Sequence, residues 1–259
     1  MEELWHEEAP LRAEGKVLCG VDEAGAGPLM GPVYAAAVIL PREAELPGLN
    51  DSKKLTEKRR EALYDLILDQ AIAWSVGRVE AAEIDALDIL NARMLAMNRA
   101  IEGLGRKADL YLIDGNRDHG TKVAIQVPHT LLVGGDGRSA SVAAASILAK
   151  VSRDRYVVEV LDKEYPQYQF AKHKGYGTKL HYQMLDEFGP CPEHRRTFLK
   201  KWEARRGALP RPGATGERRR WPGISGGRAA PCSRASGAAA SGRSTSWRGT
   251  AGGPSSLWR

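Results

Sequence analysis

The chain has 259 residues and a formal net charge of +6. That excess is local, because from Ala204 onward eleven Arg face one acid, Glu217, leaving 27 basic against 31 acidic residues in 1–203 and no charge-based case for nucleic-acid binding by the body. Cys19, Cys191 and Cys232 lack C-x-x-C spacing, which excludes a disulfide framework or zinc site and sets the chain in a reducing cytoplasm; an acidic start and the lack of any 18-residue apolar run read against secretion and membrane spanning.

In chain order, residues 1–15 read as an N-terminal segment before the body. Val17 to Val21 is an apolar strand ending in two acids, and after a Gly/Pro turn Val33 to Leu40 is a second strand, together a buried hairpin. Thr56 caps a helix to about Gln70 with Leu63, Leu66 and Ile67 on one face, and Ile72 to Val79 is a third strand. Ala81 to Leu104 is helical with one break. Asp109 to Ile113 is a strand ending in Asp114-Gly115, with further short strands expected at Val123 to Val127 and Thr130 to Val133. Ser139 to Tyr165 is one long helix whose opening alanines suit close packing on a sheet. A Gly-rich loop and two short helices follow, Lys179 to Phe188 and Glu193 to Trp202. Strands alternating with helices give an α/β layer structure. From Ala204, 45 of 56 residues are Arg, Gly, Ala, Ser or Pro, a composition that predicts a disordered tail over 204–259.

Four acids stand at strand ends or turns. Asp22 and Glu23 close the first strand before Gly25 and Gly27; strand alternation turns one carboxylate to each face unless the chain bends. Asp114 ends another apolar strand, and Asp136 precedes the alanine-rich helix. Each alone also reads as a solvated strand end or turn. If the first strand and the Asp114 strand are neighbours, however, like charges gather at one sheet edge, and such a cluster calls for a cation, with hard oxygen ligands selecting Mg²⁺ or Mn²⁺. Ser52 and Lys53 offer a hydroxyl and an ammonium to phosphate, or form a solvated turn. Tyr176, between Gly175 and Gly177, is placed to stack on a sugar or base, or to pack in its loop.

Taken together, Asp22-Glu23-Ala24-Gly25, Leu112-Ile113-Asp114-Gly115, Ser141 to Ala149 with Lys150-Val151 and Arg153-Asp154, His173 to Thr178, and Gly189-Pro190, Pro192 and His194-Arg195 resemble the type 2 ribonuclease H family over about Val17 to Phe198. The resemblance implies an RNase H-like mixed five-stranded sheet flanked by helices, with a small helical C-terminal extension from about residue 160, in a catalytic body of residues 16–203. It also implies a four-carboxylate site of Asp22, Glu23, Asp114 and Asp136 holding two Mn²⁺ or Mg²⁺ ions with substrate bound. Substrate contacts are expected at Gly25, Ala26, Gly27, Ser52, Lys53, Ser141, Ser146, Lys150 and Tyr176, with the glycine pair reading a ribose 2′-hydroxyl.

The expected substrates are RNA–DNA hybrids and DNA containing ribonucleotides, cut on the 5′ side to leave 3′-hydroxyl and 5′-phosphate ends, by a monomer. A sliding clamp stays open as a partner, although no segment indicates one. Ala26 stands where the family usually has Arg, and Gly134 where Lys is common, which opens the alternative of an impaired or inactive hybrid-binding homologue.

Overall fold

The computed structural model describes residues 2–118, 121–207 and 247–250. Its strands are β1 (Leu18–Ala24), β2 (Val33–Ile39), β3 (Ala73–Val79), β4 (Leu110–Asp114), β5 (His129–Leu132) and β6 (Trp247–Thr250). Its helices are α1 (Glu2–Trp5), α2 (Ala9–Ala13), α3 (Glu57–Gln70), α4 (Ala81–Leu87), α5 (Ile89–Gly103), α6 (Ala140–Tyr156), α7 (Asp162–Glu164), α8 (Phe170–His173), α9 (Lys179–Phe188) and α10 (Arg196–Gly207). Among the described residues no helix is long and apolar enough to cross a membrane.

The strands lie in the order β5-β4-β1-β2-β3-β6, so the expected five-stranded mixed sheet is present with a four-residue strand added at its edge. β1 to β3 form an antiparallel meander, and β4 and β5 run parallel to β1. Period-two alternation divides the sheet's side chains between two cores. Tyr34, Ala36 and Val38 pack with α3 and α6 on one face, while Cys19, Val21, Ala35 and Ala37 pack with α5 on the other. Small residues set the spacing: a Cβ at Gly20 would fall 2.0 Å from the Ser141 carbonyl carbon, so α6 rests directly on the β1 backbone. The sequence expectation of close helix–sheet packing holds for this reason.

Several elements differ from expectation. Val123 to Val127 is not a strand: buried Asn91 accepts from the amides of Lys122 and Val123, and buried Asn98 pairs with Gln126 and Ala124, so two asparagines of α5 take the backbone groups a ladder would have used. Leu66 of α3 is exposed, and only Leu63 and Ile67 of its expected face are buried. The break in 81–104 falls at Asp88, whose φ of 73° ends α4 while its carboxylate accepts from the Asn91 amide to start α5. The long helix expected to Tyr165 ends its α-helical run at Tyr156 and passes through a π-turn over Val157–Leu161 into α7. The last helix begins at Arg196 rather than Glu193, because Asp85 caps it through the Arg196 and Thr197 amides.

Both ends of the chain make contacts with the body. Residues before 16 are docked on the body: Leu4 is buried in the α6-side core, and fully buried Glu8 accepts from the Ser139 and Ser141 hydroxyls and the Ser141 amide at the start of α6. At the other end α10 runs to Gly207, and Trp247–Thr250 pairs with Ala73–Val76 of β3. The remaining expectation of disorder, for 208–246 and 251–259, lies outside the described residues.

Candidate active site

The parallel register of β1 and β4 pairs Val21 with Ile113, which sets Asp22 beside Asp114 at the carboxyl ends of adjacent strands. Both follow the alternation of Leu18 and Leu112, whose side chains meet Val142 of α6, so both carboxylates face α6. Crevices outside the carboxyl ends of strands are where open α/β sheets bind ligands. Asp22 is buried, accepting from the Ser146 hydroxyl of α6 and, at 2.6 Å, from the Glu23 amide. Ser146 in turn lies 2.8 Å from the Ser52 hydroxyl, so the two expected serines form a relay to Asp22.

Burial, then the charges of Glu23 and Asp114, push the Asp22 carboxyl well above its usual range. Glu23 alternates to the opposite pleat face, toward α5, where Arg93 meets it at 2.5 Å; burial still raises it, Arg93 opposes the rise, and the charge of Asp114 adds to it. Asp114 Oδ1 accepts from the Gly135 amide at 2.7 Å, which ties β4 to the 3₁₀ turn Gly135–Gly137 carrying Asp136. Burial raises Asp136, while the Lys53 ammonium, 3.3 Å away, pulls it back.

The structure thus brings Asp22, Asp114 and Asp136 to one edge with Ser52, Lys53 and Ser146, and Glu23 approaches the same edge from the other face. Among the described residues no three His, Cys, Asp or Glu are gathered closely enough to enclose an ion as they stand. Glu23, Asp114 and Asp136 are turned instead to Arg93, the Gly135 amide and Lys53. The donor chemistry fits a divalent cation nonetheless: all the ligands are hard oxygens, the charge of Asp114 raises the proton affinity of Asp22, Glu23 and Asp136, and Glu23 Oε2 is buried without a hydrogen-bond partner.

A second group adjoins the carboxylates. Gly25 has φ of 89°, and a Cβ there would meet the Arg153 side chain at 2.7 Å, so both conformation and space demand glycine. Tyr176, 42% exposed, lies beside Gly27, with Lys150 and Arg153 near its ring at 5.6 and 5.7 Å. Ala26 is half-buried and leaves the loop without a charged side chain of its own. Gly134 sits at φ 64° with open space around it; its backbone suits glycine better than the lysine common at that place.

Ser141 is not brought to the site. It is fully buried in the first turn of α6, where its amide and hydroxyl both bond Glu8 of the N-terminal segment.

Sequence reasoning assigned no role to Arg93, Arg153 or Arg195. Arg195 is fully buried and donates to four carbonyls of the glycine loop, Gly25, Ala26, Pro28 and Gly31, at 2.7 to 3.1 Å. Burial, followed by the like charge of Arg153, lowers it to about 9. An arginine run after Glu193-His194 carries no periodic signal of burial, and an arginine is expected outside.

The ribonuclease HII family model matches residues 19–203. A ribonuclease HII of Caldicellulosiruptor bescii is 50% identical over 194 residues, covering 75% of this chain and 92% of the relative, and one of Endomicrobium trichonymphae is 53% identical over 182 residues, covering 70% and 84%. Among solved structures, the ribonuclease H2 of Pyrococcus horikoshii superposes with a TM-score of 0.60 at 27% identity, covering 73% of this chain and 97% of that one.

Proposed function

Given that the chain belongs to the ribonuclease HII family and is a ribonuclease H endonuclease, we propose that it hydrolyses the RNA strand of RNA–DNA hybrids and cuts 5′ to ribonucleotides embedded in duplex DNA. The observation that carries this reading is the side-by-side placement of Asp22 and Asp114 on adjacent parallel strands, with Asp22 raised by burial and by its neighbours' charges. Such repulsion is tolerated in a fold only where a cation or proton relieves it.

Asp22, Glu23, Asp114 and Asp136 would hold Mg²⁺ or Mn²⁺, and what two such ions supply when bound is acidification of water and stabilisation of a leaving 3′-oxygen. The chain's own residues do the rest. Ser146 and the Glu23 amide fix the Asp22 rotamer, and the Gly135 amide fixes that of Asp114. Lys53 and Lys150 border the edge with positive charge for phosphate, and the Tyr176 ring offers a stacking face beside Gly27. The bare backbone at Gly25 and Gly27 permits the close approach needed to read a 2′-hydroxyl, which is what distinguishes RNA from DNA in a duplex.

The test is a duplex with one ribonucleotide. Asp22→Asn or Asp114→Asn should abolish cutting with the fold intact, chelation should abolish it in the parent, and the products should end in 3′-hydroxyl and 5′-phosphate. Cyclic phosphate ends, or equal cutting of an all-DNA control, would overturn the assignment. The absence of a basic side chain at Ala26 favours a reading in which the enzyme is impaired. A large gain in turnover for Ala26→Arg would establish that impairment, and an unchanged rate would dismiss it.

A further inference from the structure

Arg195 is joined to the glycine loop by its amide and by all three of its guanidinium nitrogens. Its amide donates to Leu29 O at 2.9 Å, Met30 and His194 form an antiparallel bridge, and Gly31 N donates to Glu193 O at 2.8 Å. Its side chain takes four carbonyls of Gly25 to Gly31, two of them consecutive, while its guanidinium lies 5.2 Å from the Phe198 ring. Among the described residues no carboxylate is within ion-pair distance of it. A buried cation satisfied by carbonyls rather than by an acid is a costly arrangement, and it is the carbonyls' direction that it fixes.

That direction has a consequence on the opposite side of each peptide. All peptides here are trans, so an N–H points away from the carbonyl of its own plane. With the Gly25 and Ala26 carbonyls drawn inward to Arg195, the amides of Ala26 and Gly27 are turned outward, and neither takes a hydrogen-bond partner among the described residues. The plane of Pro28 follows the same rule: the Leu29 amide points away from Arg195 and donates to Gly175 O at 2.9 Å, stapling the Tyr176 loop to the glycine loop.

We infer that Arg195 is a positioning residue that holds the Ala26 and Gly27 amides outward beside Tyr176, as a preformed donor pair for a hydroxyl oxygen of the ribonucleotide. The inference rests on the reading of the glycine loop as the ribose-sensing element. A lysine at 195 keeps a positive charge but has one nitrogen where the fork has three, and cannot hold four carbonyls at once.

The experiment compares binding of a duplex with one ribonucleotide and the same all-DNA duplex, in chelator, by the parent and by Arg195→Lys. The parent should prefer the ribonucleotide, and the variant should lose about tenfold of that preference, the worth of a lost well-placed hydrogen bond, with all-DNA affinity unchanged. Equal preference in a folded variant overturns the role of Arg195, as does a parallel fall in both affinities. A parent with no preference overturns the ribose-sensing reading itself. Should the variant not fold, the parent's own amide resonances decide: those of Ala26 and Gly27 should shift with the ribonucleotide duplex and not with the DNA one, and their failure to do so sinks the proposal.

Discussion

The Lys53 ammonium lies 3.3 Å from the Asp136 carboxylate and supplies the positive charge that Asp136 shares with its acidic neighbours. The lysine is 78% exposed, so the pair itself is screened and weak, and it competes with any divalent ion for the same oxygen. Lys53→Ala should therefore lower the Mn²⁺ midpoint in a thermal-shift titration by about two- to fivefold, while raising KM for a hybrid by a similar factor through the lost phosphate contact. An unaltered Mn²⁺ midpoint would show that the two cations do not compete.

Asp22 makes the folded, metal-free protein sensitive to base. Because burial and then the charges of Glu23 and Asp114 raise its carboxyl, the folded state binds a proton more tightly than the unfolded chain does. Stability is accordingly lost as pH rises from the unfolded value near 4 through the raised folded one. Asp22→Asn removes that loss: without divalent ions the variant should melt about 2–6 °C above the parent at neutral pH, and added Mn²⁺ should raise it far less. Melting below the parent under those conditions would mean that the Asp22 charge is not a burden on the fold.

The buried histidines behave in the opposite sense. His181 and His194 are fully buried, with their Nε2 atoms 3.0 Å apart; burial, followed by the charge of His173 on His181 and of His181 on His194, lowers them to about 4 and about 3. Depressed folded values leave their contribution intact above the unfolded value of about 6.5 and remove it as pH falls through 4 to 3. Hydrogen exchange should show α9 and α10 losing protection at about pH 4.5 before the sheet does. Equal loss in both would place the acid weakness elsewhere.

Glu8 is the third buried acid, and its partners are donors rather than other acids. Its oxygens accept from Arg12, Ser139 and Ser141, at the N-terminus of α6 where the helix dipole favours a carboxylate. Glu8→Ala should cost about 3 kcal/mol by stranding those donors, measured by urea unfolding at neutral pH. A cost under about 0.5 kcal/mol would mean that water replaces the carboxylate freely.

What could be read from the chain beforehand follows from how local the governing physics is. Strand and helix periods placed β1 to β4, α3 and α9 to within a few residues, since burial on one face is written into the spacing. The asparagines of α5 that dissolved the expected strand at Val123 to Val127 act across the fold, and no period announces them. The same holds in the site. Asp22, Asp114 and Asp136 were legible as acids at strand ends and turns, whereas Arg93, Arg195 and Glu8 owe their importance to partners 70 to 170 positions away. Ser141 shows the same limit: the sequence places it on the α6 segment, while its hydrogen-bond partner in space is Glu8 of the N-terminal segment.

Gly20 has no atom to yield. With its Cα pressed against the Ser141 peptide, a single methyl there would act as a wedge under the first turn of α6, and backbone on both sides would have to part by roughly an ångström and a half to reach ordinary contact. The helix is stiff, so the lift would be carried along it to Ser146, whose hydroxyl bonds Asp22. A hydrogen atom in place of a side chain, two residues before Asp22 on β1 and without polarity, thus sets the height at which that edge is held.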